Sequence, residues 1–229
     1  MGEHVAGDAR QRILGAAECL FAEQGISGTS LRALTRAADV NLAAVHYYFG
    51  SKEQLLDAVV ERRARPVNDD RLHTLKALVG RTGDARPEIE EILRAFIIPA
   101  VNALPIAQAE GQRLARLLAR IEAQPPDVVE ALSRKHFGEV AARFIETLQR
   151  SLPDLPAQLV ADRFRFAAGL FSFLFSGNFD LDSIPGHPPR AASLEDKLES
   201  MIGFIAAGMR APKPPSWTPP TASHHRGSR

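Results

Sequence analysis

Apolar residues recur at helical spacing along nearly the whole chain, and no stretch alternates with the period of two that a half-buried strand needs. β-branched runs are scarce. That pattern excludes sheet architectures and predicts an all-α protein. The first instance is clear. Between Asp8 and Gln24, Ile13, Leu14, Ala17, Leu20 and Phe21 fall on one helical face. Asp8 can cap that helix and Gly25 can stop it. Pro87, Pro126 and Pro156 stand where a first helical residue is expected, a position at which the missing N–H costs nothing. They divide the rest of the chain into helices from Pro87 to Ile98, Ile106 to Ala123, Pro126 to Leu152, Pro156 to Ser176 and Ser193 to Arg210. With four helices before Gly83, about nine are expected.

The segment from Thr29 to Leu56, TSLRALTRAADVNLAAVHYYFGSKEQLL, carries the function. Thr29 or Ser30 can cap a short helix whose inner face is Leu34 and Ala38. Asp39 and Val40 make a tight turn, and Asn41 can cap a second short helix from Leu42 to Tyr47. Ser51 caps a fourth helix, in which Pro66 should produce a kink or an interruption, with helix resuming through Val79. Glu53 stands too early for a strict capping box but suits the positive end of the helix dipole. Two short helices joined by a tight turn and braced on a longer one form a helix-turn-helix. Its second helix must be slim on its outer face to enter the major groove, and Asn41, Leu42, Ala43 and Ala44 meet that need. Val45 and Phe49 should face inward, toward Leu34 and Leu20.

Charge gives this reading no help. The net charge is +1, and through Arg65 there are eight Lys/Arg against eight Asp/Glu. Geometry rather than a basic patch carries the expectation of DNA binding.

The same segment resembles the TetR family of transcription regulators. Thr29, Ser30 and Leu34 match its helix start, Ala38 and Val40 its turn, and Tyr48, Phe49, Lys52, Glu53 and Leu55 its aromatic-rich exit. The opening run ILGAAECLFAEQG is similar too, so the resemblance covers about Arg10 to Leu56. Asp39, Asn41 and His46 stand where the family usually has Gly, Ser and Tyr. The resemblance implies these contacts to double-stranded operator DNA: Thr29 and Ser30 to a phosphate, Arg32 to the groove edge, and Leu42, Ala43 and Ala44 to thymine methyl groups. Tyr47 would meet a base or sugar, and His46, Tyr48 and Lys52 phosphates. It also implies a homodimer. A DNA-binding domain over residues 8–65 and an effector and dimerisation domain over 66–211 are expected, followed by a disordered tail over 212–229.

The second half is read on its own. FRFAAGLFSFLF, Phe164 to Phe175, is apolar on nearly every side and suits a helix that packs both on a core and on a second subunit. MIGFIAAGM, Met201 to Met209, is similar and rich in small residues. Together they predict a four-helix bundle about a two-fold axis. Phe96, Ile97, Leu114, Leu117, Leu118, Phe137, Phe144, Leu148, Phe171 and Phe175 are the expected lining of an effector pocket. Arg113, Arg116 and Arg120 share one helix face; either one of them holds a carboxylate at the pocket mouth or the three form a solvated charged face. The runs VNLAAVHYYFGSK, RLLARI and FIAAGMR resemble the fatty-acid-responsive PsrA-like subgroup, which implies a fatty acid or acyl thioester as the small apolar effector. Repression relieved by the effector is the expected mode of action.

Other functions find little footing. Cys19, the only cysteine, excludes an internal disulfide and reads as an inert small residue, in keeping with a reducing cytoplasm. Met1 to Arg10 lacks the apolar core of a secretory signal, and the longest apolar stretch is too short to span a membrane. No cofactor motif, metal spacing or oriented acid–base pair suggests an enzyme. The alternative is a helical adaptor that binds a small molecule without operator; Thr29, Tyr48 and Lys52 weigh against it.

Overall fold

The computed structural model describes residues 2–103, 109–175 and 193–218; of residues 2–7, 109 and 172–175 only the backbone is described. The described residues form helices and no strands, as expected: α1 (Gly2–Gln24), α2 (Leu31–Ala38), α3 (Leu42–Phe49), α4 (Lys52–Thr82), α5 (Ile89–Ala103), α6 (Ala109–Glu122), α7 (Pro126–Ser151), α8 (Ala157–Phe175) and α9 (Leu194–Arg210). None of them is long and apolar enough to cross a membrane.

Helix ends follow from local chemistry. Ser30, Asn41, Ser51 and Ser193 each accept a backbone N–H from the first turn of α2, α3, α4 and α9. One expectation near these ends is corrected and one is borne out. Asp8 does not cap α1, which begins at Gly2; instead Asp8 pairs with Arg12 one turn later at 3.1 Å. A capping box does open α4, and Gln54 rather than Glu53 closes it: Gln54 Oε1 accepts from the Ser51 N–H at 3.1 Å. Gly50 is required just before it. Its φ is +69°, and a Cβ there would lie 2.3 Å from that same Oε1.

α4 runs unbroken past Pro66, so of the expected kink or interruption the interruption does not occur. Proline removes the N–H that would close on the Arg62 carbonyl, but both residues are exposed and water can serve that oxygen. A continuous α4 therefore passes through two cores. Leu55, Leu56, Val59 and Val60 join Ile13, Leu14, Phe21, Leu34, Val45 and Phe49 in the first. Leu75 and Leu78 join α5, α7, α8 and α9 in the second, around Ile92, Phe96, Phe144, Phe164 and Ile202.

α6 packs on α1 and belongs to the first core through Leu114 and Leu117. An ion-pair cluster supports this docking. Arg63 of α4 donates through Nε to Glu18 of α1 at 2.9 Å and through Nη2 to both Glu18 and Glu110 of α6, the latter at 3.1 Å. Those bonds, Glu18's first, raise the Arg63 pKa above its ordinary value despite partial burial. The segment after α9 holds a turn, Trp217 N–H to Pro214 O, and its start is held by Arg163, which donates to the carbonyls of Met209, Ala211 and Pro212.

Candidate nucleic-acid interface

α3 is fixed by what it buries. Val45 and Phe49 sit in the first core at 3% and 6% exposure, so a helix of 3.6 residues per turn must turn Leu42, Ala43, His46 and Tyr47 outward. Leu42 is 46% exposed and Tyr47 83%, so this face is open to contact. Ala44 and Tyr48 are half-buried and pack on the core edge, so they reach the outer face only from its flank. Tyr47 and Tyr48 meet edge to face at 5.1 Å, which steadies the exposed ring.

The turn before α3 is tight because Asp39 takes a left-handed conformation, φ 51° and ψ 55°, and donates its N–H back to Arg36 and Thr35 carbonyls. Arg12 of α1 donates to the Asp39 carbonyl at 3.3 Å, which ties the turn to the longer helix. Asn41 Oδ1 accepts from Ala44 N–H at 2.8 Å. The cap expected from sequence is therefore present, and it leaves the Asn41 side chain exposed at the helix start.

The flanking residues divide. Ser30 and Arg32 are exposed at the start of α2, and Arg36 and Arg10 are exposed nearby although the sequence motif did not single them out. Thr29 is different. It is 4% exposed and its hydroxyl donates to the Gly25 carbonyl at 2.8 Å, so that hydroxyl is turned inward and only its backbone stands near the α2 terminus. His46 Nδ1 lies 2.9 Å from the Gly50 carbonyl. A carbonyl only accepts, so Nδ1 carries the proton and a neutral ring presents Nε2 as an acceptor. Such a ring offers a phosphate no donor until it is protonated. Lys52, the first residue of α4, donates Nζ to the Ser27 carbonyl at 3.3 Å.

The residues expected to line an effector pocket do not come together as one set. Phe96, Ile97, Phe144, Leu148 and Phe171 are buried in the second core. Phe96 meets Phe144 and Phe164 edge to face at 5.2 and 5.0 Å. Leu114, Leu117 and Leu118 pack instead on α1 in the first core. The arginines of α6 go with them: Arg113 donates to Cys19 Sγ at 3.3 Å, Arg120 lies against Gly25, and Arg116 is exposed. None of the three stands at the second core. Phe137 is half-buried on α7 outside both clusters, and the side chain of Phe175 lies outside the described residues. The reason is tertiary: the amphipathic face of α6 is claimed by α1.

Comparison with known proteins now becomes decisive. The family model of bacterial regulatory proteins of the TetR family matches residues 13–59, from α1 through α2 and α3 into the start of α4. That of tetracycline repressor-like C-terminal domains matches residues 94–208, just over half of the chain. This chain belongs to the TetR family. It is similar to the regulator BetI of Brucella anthropi, 26% identical over 87% of this chain and 94% of that one. Matches to YttP of Bacillus subtilis (41% identical) and SrpR of Pseudomonas putida (38%) cover 22% and 28% of this chain. They span only 25% and 30% of those proteins' length. Among solved structures, the TetR-family regulator PfmR of Thermus thermophilus has the same fold. It aligns with a TM-score of 0.55 at 19% identity, over 90% of this chain and 97% of that one. A family member from Mesorhizobium loti aligns at 0.56 and 18%, over 89% and 96%. The DNA-binding part of the family, the reader, is thus a helix-turn-helix, and α2 and α3 are its two short helices here.

Proposed function

We propose that the chain is a ligand-controlled DNA-binding regulator that acts as a homodimer on a near-palindromic operator. The observation that carries the reading is the outward face of α3, where Leu42, Ala43, His46 and Tyr47 stand exposed on a helix anchored from behind. Leu42 and Ala43 suit thymine methyl groups, with Ala44 at their edge, and Tyr47 suits a base or sugar. Ser30, Arg32, Tyr48 and Lys52, with the backbone at Thr29 and Asn41, position the reader on phosphates. With so few polar readers, DNA shape carries much of the specificity.

The dimer face is proposed on α8 and α9. Phe166 and Phe204 are each 72% exposed. Gly169, Gly203 and Gly208 are exposed beside them, with open space where a Cβ would stand. Aromatic anchors among small residues suit a second copy meeting this one as a four-helix bundle. Two copies of α3 would then lie in major grooves a turn, about 34–36 Å, or a multiple of it apart.

A small apolar effector would enter the second core beside Phe96, Phe144 and Phe171, where a fatty acid or acyl thioester fits the lining. α4 passes from that core to the reader, so a ligand that favours a shifted α4 changes the spacing of the two recognition helices. Operator affinity then falls by the ligand's differential affinity for the two states. We read the outcome as relief of repression.

The test is fluorescence anisotropy of the full chain on duplexes selected from a randomised pool, across a salt series. Wild type should select a near-palindrome. Lys52→Ala should weaken binding to all duplexes alike and reduce the slope of log affinity against log salt by about one. Selection of no duplex would contradict the reading.

A further inference from the structure

Arg71 of α4 is the residue that the regulator reading leaves unused. It is 5% exposed in the second core, between α5 and α7. Its Nε donates to the Phe96 carbonyl at 2.7 Å and its Nη1 to Asn68 Oδ1 at 3.2 Å. Its guanidinium carbon lies 3.9 Å from the centre of the Phe96 ring. No carboxylate among the described residues pairs with it, and Nη2 donates to nothing there. Burial draws its pKa down to about 10, which still leaves the group charged at neutral pH.

A buried cation without a counter-ion is costly, and buried charges in proteins are as a rule paired. A purely structural role explains part of the geometry. Pro99 lacks the N–H that would close on the Ala95 carbonyl, and Arg71 braces the carbonyl next to it, that of Phe96. A neutral donor such as glutamine would brace that oxygen equally well. The Phe96 ring face meets part of the charge, but no carboxylate among the described residues meets the rest. Around it lies an apolar aromatic cluster, Phe96, Phe144 and Phe164. Open grooves of about 350 and 200 Å³ flank the turns of α4 on either side, each lined by apolar and charged groups together: Ile98 and Pro99 with Arg94 in the first, Leu72 and Val140 with Lys135 in the second.

We propose that Arg71 is the anion-pairing residue of the effector site, and that the effector is an apolar monocarboxylate whose body lodges among Phe96, Phe144 and Phe164. This inference rests on the reading of the second core as the effector site. It assigns to Arg71 the carboxylate-holding role that the arginines of α6 are too far from that core to fill. It also supplies a route to the reader. Asn68, which accepts from Arg71, donates through Nδ2 to the His136 carbonyl of α7 at 2.7 Å. The His136 ring and Lys135 bond Asp57 of α4 at 2.9 and 2.6 Å, beside the turn that enters the reader core. A carboxylate has the unused Nη2 to bind, and by pulling the guanidinium from the Phe96 carbonyl it shifts α4 against α5.

The experiment uses the full chain and two probes that differ only in charge, decanoate and decanol, in isothermal titration below their aggregation limits. Wild type should bind decanoate at least about tenfold more tightly than decanol, the scale of one charge-assisted pair. Arg71→Lys should keep a preference, and Arg71→Gln, which keeps a donor for the Phe96 carbonyl, should abolish it. Equal binding of the two probes by wild type, binding of neither, or an undiminished preference in Arg71→Gln overturns the proposal. Binding of the selected duplex is followed in the same samples. Duplex binding without a decanoate preference sinks the anion site alone; a decanoate preference in a chain that binds no duplex sinks the regulator reading alone.

Discussion

Asp39 holds the recognition helix at its angle from a backbone conformation that side chains seldom adopt, φ 51°. Aspartate tolerates the left-handed region; a β-branched residue does not. Asp39→Val should therefore cost about 1–2 kcal/mol, whereas Asp39→Gly should be near neutral, the relief of strain offset by the freedom glycine gains in the unfolded chain. Chemical denaturation of the three proteins checks this, and equal stability of Asp39→Val and wild type would remove the turn from the account. This part of the reader was legible in the sequence because it is local. Ser30, Asn41 and Ser51 each act within one turn of their own position, and Val45 and Phe49 announce the inner face by spacing alone. Thr29 was not legible in the same way. Its hydroxyl bonds Gly25 because α1 ends in a left-handed glycine (φ +77°), a fact of geometry that the motif does not carry.

At the scale of elements, α4 is the helix that both cores share, and what the sequence hid lies along it. Ala64, Asn68, Arg71, Leu75 and Leu78 are all buried at spacings of three and four, one stripe with two polar members. In sequence Asn68 to Arg71 reads as a polar surface run, NDDR, and only the stripe on either side betrays that Arg71 points inward. The docking of α6 on α1 was hidden for a similar reason: its amphipathic face fits either core, and only tertiary packing chooses. α5 and α9 are joined by a different device. Arg210 binds Glu90 through two bonds of 2.6 Å, and Arg94 binds Glu199. Arg210 holds the Glu90 carboxyl down to about 2, against the small effect of its partial burial. The folded value lies below the ordinary one of 4.5, so the pair's contribution is whole above that pH and is lost as pH falls toward about 2. Arg210 and Glu90 keep 42% and 31% of their side-chain surface exposed, so solvent screening limits the effect to about 1 kcal/mol or less. Glu90→Gln should be less stable than wild type near neutral pH, and the gap in melting temperature should close across that acid window. A gap that stayed constant with pH would show that the ion pair contributes nothing.

At the scale of the whole molecule, the parts agree on one design. A reader with little net charge is fixed by capped, local structure; a long helix carries it into a second core; and exposed Phe166 and Phe204 suit a mate that duplicates the reader by symmetry. The account stands on the claim that α3 enters the groove by its slim outer face. Ala43 is exposed there, remote from both cores, so a bulky anion at that position should leave the fold intact while meeting the phosphates and bases head on. The most direct measurement is anisotropy of Ala43→Glu against wild type on the selected duplex, with thermal unfolding followed in parallel. Loss of specific binding at an unchanged melting temperature is predicted; wild-type affinity in Ala43→Glu would contradict the assignment of α3 as the recognition helix.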